Sequence, residues 1–470
     1  MAQPLAARGQ TTAQPDKADV WPHTTRFLPW MLAGFLTLLF LVPINSVELK
    51  LPSPVDPHLD RYVLGGIFAV WIVVAALGRS RGRQQRPALF LASVVMFVAV
   101  ALLSVVVNIG DLTTHGLLEL TQNRLALLFG FVFFAFFTVS AVRPAEVRNF
   151  SVLIIALASV TAIGVIYERR TGFNVFYDFF GHLFDPIATV AESPTEINPD
   201  PERESRKTIV GPTDHGLAVT TMMVLAIPFA IVAFMQVRER TRWLYALAIA
   251  LIMGAALSTE RKTGVLAPIA AVAVIAAYRP RAVLRMVPLG ILMAGFIYVA
   301  SPGALSTIYE LEETFNSDSS AGRSDDYAAI APEVLAHPLL GSGYGSRDIA
   351  QVDSVRILDN EYLGELLSVG LVGVLAFMAM ILSSMVVAHP VIRSGDPTRA
   401  GPALAASASC AVFGVACLLF DSMSFPQAPY MFFFAAAVAT VAAAREVPER
   451  ARERRRQAAP GASLAGVETG

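Results

Sequence analysis

The sequence predicts an all-α integral membrane protein, and three observations predict it. Of 470 residues, 55% are apolar and only 16% charged, where a soluble domain carries about 25% charged residues. About twelve stretches approach the ~20 apolar residues that cross a bilayer. Lys and Arg cluster in alternate connections between those stretches, as the positive-inside bias requires.

The expected spans are Phe27–Ile44, Tyr62–Leu77, Ala88–Val107, Leu125–Val142, Phe150–Tyr167, Leu217–Val237, Leu244–Leu257, Val265–Tyr278, Met286–Ala300, Tyr362–Ala388, Ala403–Leu419 and Tyr430–Ala444. The seventh and eighth are short, and only Ser258–Gly264 separates them, so they read as a tight hairpin. Connections carrying Arg79–Arg86, Arg143–Arg148, Arg238–Arg242, Arg279–Arg285 and Arg393–Arg399 fall on one side, with the basic tail from Arg445. Both termini are therefore expected in the cytoplasm. Residues 1–26 read as a disordered polar tail without the charged start and apolar core of a cleaved signal peptide. Residues 27–444 form the membrane domain, and 445–470 a disordered basic tail.

Two long segments face outward on this reading, 168–216 and 301–360, the second between the ninth and tenth spans. Loops of such length in a compact bundle are functional or disordered. The first is rich in aromatics near its start; in the second, Tyr327, Ile330 and Val334 recur at helical spacing. Cys410 and Cys417 share a helical face too far along it to pair, which makes them packing residues. His215 and His337 lack metal-ligand spacing, so no metal site or other cofactor is expected, and no nucleic-acid partner. The glycines of G-S-G-Y-G at Gly341–Gly345 follow no predicted strand and read as a close-packed turn rather than a nucleotide loop.

The stretch D-N-E-Y-L-G-E-L-L-S-V-G-L-V-G, Asp359–Gly373, closes a long polar segment and opens the longest apolar one. A helix beginning at Asp359 puts Asp359 and Gly370 on one face, and Glu361 and Glu365 on another. The plain reading is an Asp N-cap followed by small residues for close packing. Basic residues on the outward side also need a reason. Arg206, Lys207, Arg261, Lys262, Arg323, Arg169 and Arg170 either pair with local acids such as Glu260 or headgroups, or gather to bind phosphate. Arginine suits the second task through its planar, bidentate fork.

Three segments together resemble one family. They are G-P-T-D-H-G at 211–216, following Arg206–Lys207; S-T-E-R-K-T-G at 258–264; and A-G-R-S-D-D-Y at 321–327, continuing through H-P-L-L-G-S-G-Y-G to the Asp359–Gly373 stretch. This looks like the O-antigen ligase and polymerase superfamily of bacterial envelope glycosyltransferases, with the likeness strongest over about residues 205–375. The family pattern has a His where this chain has Asp359; Asn360, Gly370 and Gly373 keep its spacing. The resemblance implies a C-type glycosyltransferase bundle in the bacterial cytoplasmic membrane, its active face outside the cell. It implies transfer of a glycan from an undecaprenyl-diphosphate donor to an acceptor hydroxyl on a glycolipid or lipid-linked glycan, without a metal. Asp359 and Asn360 then take the catalytic positions, and Arg206, Lys207, Arg261 and Arg323 those that bind diphosphate. Two other classes stay open: a transporter or flippase, which places ionisable groups near the midplane at broken helices, and a scaffold without activity.

Overall fold

A computed structural model describes residues 19–50, 58–77, 86–185, 187–194, 208–288, 290, 291, 295, 330–346 and 360–444. Among the described residues the chain is mostly helical, because a bilayer offers no partner for backbone groups and a helix pairs them within itself. Its elements are α1 (Phe27–Leu41), β1 (Val47–Leu49), α2 (Leu59–Leu77), α3 (Leu89–Val107), α4 (Ile109–Thr114), α5 (Leu118–Ala141), α6 (Val147–Thr171), α7 (Val175–Phe184) and β2 (Ala188–Val190). There follow α8 (Gly216–Gln236), α9 (Glu239–Ser258), α10 (Lys262–Tyr278), α11 (Pro280–Leu284), α12 (Glu361–Val386), α13 (His389–Ser394), α14 (Ala400–Leu419) and α15 (Gln427–Ala442). Among the described residues 8 helices are long and apolar enough to cross a membrane, with α1, α10 and α15 as shorter apolar companions. Every expected span except Met286–Ala300 falls on one of these helices. That span and the segment 301–360 lie mostly outside the described residues, so the expected total of about twelve is not reached there.

Three helices, α8, α14 and α15, form the centre and are buried along nearly their whole length. Composition explains the placement. Helix α14 reads A-G-P-A-L-A-A-S-A-S-C-A, and small side chains let backbones approach where no hydrophobic effect drives helices together. It packs against α8, α10, α12 and α15. Cys410 and Cys417 are free and buried within it. Pro228 interrupts the bonding of α8, and in that turn Ser409 of α14 donates to Leu225 O at 2.8 Å. Around the centre, α2, α3 and α9 turn residues such as Phe68, Val95 and Leu247 outward, as lipid-facing helices do.

The end carrying Arg143 and Arg399, here the basic end, is made of short connections. Residues 19–26, expected within a disordered tail, are packed there. Trp21 stacks on Phe150 at 4.7 Å, and its backbone N–H donates to Glu146 Oε1 at 3.0 Å. Arg26 donates to Glu146 Oε2 at 2.6 Å.

The opposite end, the loop end, carries the irregular structure. Helix α6 runs on to Thr171, one turn beyond its expected end, and Gly172 stops it in the left-handed conformation at φ 75°. Helix α7 follows, and β1 pairs antiparallel with β2, Val47 opposite Val190 and Leu49 opposite Ala188. Residues 330–336 are helical, on the periodicity noted for Ile330 and Val334.

Candidate active site

Helix α12 does not begin or continue as expected. Its N-cap is Asn360, whose Oδ1 accepts from Tyr362 N at 2.9 Å and from Leu363 N at 3.4 Å. The cap thus belongs to the residue after Asp359, and Asp359 itself lies outside the described residues. Ten residues on from Asn360, the helix breaks at Gly370, with φ 66° and ψ −169°. The expected shared face of Asp359 and Gly370 falls in part outside the described residues, and Gly370 itself is not helical.

The break is filled by residues 338–343. Ser342 N donates to Leu367 O at 2.9 Å and Gly343 N to Ser368 O at 3.0 Å. On the far side, Leu371 N donates to Pro338 O at 3.0 Å and Val372 N to Leu339 O at 3.2 Å. From α3, Ser104 Oγ donates to Leu340 O and Ser368 O, at 2.6 and 2.9 Å, and Asn108 Nδ2 to Gly341 O at 2.9 Å. Backbone groups that a broken helix frees inside a membrane need such partners. Only glycine permits the approach: a Cβ on Gly370 would sit 2.3 Å from Leu339 C, and one on Gly341 2.4 Å from Ser368 C. The G-S-G-Y-G turn is indeed close-packed, and what it packs on is the break in α12.

The first turns of α12 carry two carboxylates inward. Glu361 is fully buried and accepts from Met423 N at 2.8 Å. Glu365 lines a small cleft with Arg124, Tyr344, Gly345, Ser368 and Met423. Arg124 of α5 donates to Ser424 Oγ at 2.9 Å, and Ser424 in turn bonds Asp421. Arg124, like Arg261, is a basic residue at the loop end of a span. In the sequence Arg124 abuts the apolar run beginning at Leu125 and reads as the edge of that run.

Beside this lies the start of α8. Buried Glu168 accepts from Val210 N at 3.1 Å and Gly211 N at 2.8 Å, while Asn174 Nδ2 donates to Gly211 O at 2.8 Å. Tyr177 Oη donates to Thr213 O at 2.9 Å. Held this way, Asp214 and His215 arrive at the head of α8. His215 caps it, Nδ1 accepting from Leu217 N at 3.2 Å, and stacks on Phe425 at 5.0 Å. An accepting Nδ1 places the ring hydrogen of the neutral imidazole on Nε2. Burial, and then the nearby Arg261 guanidinium, push the His215 pKa below the ordinary histidine value.

Arg261 comes from the turn between α9 and α10. Thr259 Oγ1 meets Thr220 Oγ1 of α8 at 2.6 Å, and Glu260, at φ 55°, pairs with Arg169. The Arg261 side chain then lies along the first turn of α8: a Cβ on Gly216 would be 3.5 Å from its Nε. A guanidinium beside a helix N-terminus joins two sources of positive potential, an arrangement that favours an anion. The charge of Arg261 acts on His215, which stacks on Phe425, and Met423, two residues before it, binds Glu361 next to Asn360. Of the expected site residues, Arg261 and Asn360 are thus both at the loop end. Arg206, Lys207 and Arg323 lie, like Asp359, outside the described residues.

The chain is an all-α, multi-pass membrane protein. No curated protein matches it. Residues 246–378, which include Arg261, the G-S-G-Y-G turn and Asn360 through Gly373, match the family model described as O-antigen ligase, and this supports the O-antigen ligase superfamily and a ligase- or polymerase-like glycosyltransferase function in polysaccharide biosynthesis.

Proposed function

We propose that the protein transfers a glycan from an undecaprenyl-diphosphate donor to an acceptor hydroxyl, at the loop end and on the extracytoplasmic face of the bacterial cytoplasmic membrane. The observation that carries this is the family match, which encloses the Arg261 turn and the Asn360–Gly373 segment. The acceptor is a glycolipid or a second lipid-linked glycan. Its oxygen attacks the anomeric carbon, the bond from that carbon to the diphosphate oxygen breaks, and undecaprenyl diphosphate leaves. The proton passes from the acceptor hydroxyl to the Asp359 carboxylate, which stands where the family has His, with Asn360 beside it. Arg261, with Arg206, Lys207 and Arg323, meets the charge growing on the leaving diphosphate. Fixed cations in a water-poor site do this without reorganising at the moment of reaction. The face follows from the basic asymmetry of the connections.

A transporter would use the broken α12 as its ligand site. Here the backbone groups freed at Gly370 are bonded to residues 338–343, which weighs against that use. The test is direct. Purified protein in proteoliposomes is given a lipid-linked oligosaccharide and candidate acceptors. Release of undecaprenyl diphosphate together with a glycosylated acceptor is expected. Movement of the intact lipid-linked glycan between leaflets, with no release, would favour the flippase instead.

A further inference from the structure

The helix α7 contributes no group to the chemistry proposed above, yet its surface is divided in an informative way. At 3.6 residues per turn, successive side chains turn by about 100°. With Val175 as origin, Phe176, Phe180, Phe184 and Tyr177 fall in one sector, between about 100° and 200°. Phe176 and Tyr177 are buried, and Phe180 and Phe184 partly so. Phe179 and Leu183 fall at about 40° and 80°, and they are 61% and 55% exposed. Asp178 and His182 occupy a third sector, near about 300° and 340°, and both are exposed. One sector therefore faces protein, one is apolar and uncovered, and one is polar.

The position of the helix says what covers the apolar sector. Phe176 lies against the bare backbone of α6 at Gly164, where a Cβ would meet its ring at 2.4 Å. Gly164 precedes the end of α6 at Thr171 by about two turns, or ~10 Å of helix. The chain thus leaves α6, turns at Gly172, and folds back beside it instead of rising away from the bundle. The exposed stripe of α6, Val160, Ile163 and Tyr167, is a lipid face by the reading of α6 as a span, and it ends about one turn before the end of α6 at Thr171. Phe173 and Ile187, just outside α7 at either end, are also exposed.

We infer that α7 is an interfacial helix, seated in the lipid at the loop end of the bundle, with Phe179 and Leu183 in the acyl boundary and Asp178 and His182 toward water. Short amphipathic segments rich in aromatics take this position because one side is apolar and the other needs water. The same helix holds the head of α8. Asn174, its N-cap, donates to Gly211 O, and Tyr177 to Thr213 O. The lipid surface thereby sets the level of the segment that carries His215.

Site-directed spin labelling tests this on the full chain. In a background with Cys410 and Cys417 replaced by Ala, single cysteines at 178, 179, 182 and 183 are labelled and the protein is reconstituted in phosphatidylethanolamine–phosphatidylglycerol vesicles. Collision with oxygen, relative to a water-soluble nickel chelate, is expected to be severalfold greater at 179 and 183 than at 178 and 182. Equal ratios at the four sites would overturn the inference. So would labels at 179 and 183 shielded from both reagents, which would mean that a second copy or another part of this chain covers the face. A gentler variant, Phe179→Trp, keeps an aromatic side chain and should add fluorescence that brominated lipids quench beyond the wild-type level. No added quenching would overturn it equally.

Discussion

Both ends of the bundle bury a carboxylate, and the two are used differently. At the basic end Glu146 is surrounded by donors: Trp21 N, Arg143 N and the Arg26 guanidinium. Charge meets charge there, and the result is a latch between the chain before α1 and the corner between α5 and α6. At the loop end Glu168 and Glu361 accept from backbone N–H groups of irregular segments. Those carboxylates shape backbone, and the cationic Arg261 lies along the head of α8. A buried acid at one end thus closes a joint, whereas at the other it fixes irregular backbone at the end where chemistry is proposed.

The contrast is broken most severely by substitutions that spare the latch and strike the loop end. Asp359→Asn is expected to lower turnover by about 10²–10⁴, the range for loss of a general base, with the melting temperature unchanged, since Asn360 caps α12. Wild-type turnover would remove Asp359 from the mechanism and turn attention to Glu365. Arg261→Lys keeps the charge and loses the fork; a fall of about 10²–10³ is expected, as for one preorganised donor. Unimpaired release of undecaprenyl diphosphate by this variant would count against the diphosphate role.

Gly370→Ala acts on stability. A left-handed backbone costs a non-glycine residue about 1–3 kcal/mol, and the clash with Leu339 adds to it. Lower yield and earlier thermal unfolding are expected, and an unchanged melting curve would argue that the break relaxes cheaply.

The smallest effect concerns pH. His215 has a depressed folded pKa, so the stability it contributes is whole above the unfolded value of about 6.5 and is lost as pH falls through the folded one. Protonation puts a hydrogen on Nδ1 and takes away the acceptor of Leu217 N. His215→Asn, which caps through its amide oxygen, should flatten the acid limb of a melting-temperature profile and leave the neutral region unchanged. An identical acid limb in both proteins would assign that loss elsewhere.

The spans were legible because twenty apolar residues leave a chain few alternatives in a bilayer. The loop end was legible only in composition. Gly370 in an apolar run reads as a packing residue; that it breaks the helix depends on residues 338–343, which are distant in sequence and supply the missing bonds. The three-residue strands β1 and β2 are too short to show alternation. The aromatic cluster at Phe173–Phe180 was visible, but its division into sectors needed the position of α6. Asn360 and Asp359 are both good caps, and sequence alone had no means of choosing between them. Arg261 could be singled out because a cation on the disfavoured side stands out, while its neighbour His215 could not, since a lone histidine before a glycine has many uses.

The filled break in α12 has a consequence for how this chain can vary. Ser342 N is bonded to Leu367 O and Leu371 N to Pro338 O, so two segments distant in sequence are tied together on both sides of the break. Closing a flexible loop between fixed ends costs free energy that grows only with the logarithm of its length, about 0.6 kcal/mol for each doubling. The length of chain between these tied points can therefore change with little effect on the fold, while the break and the bonds that fill it stay unchanged.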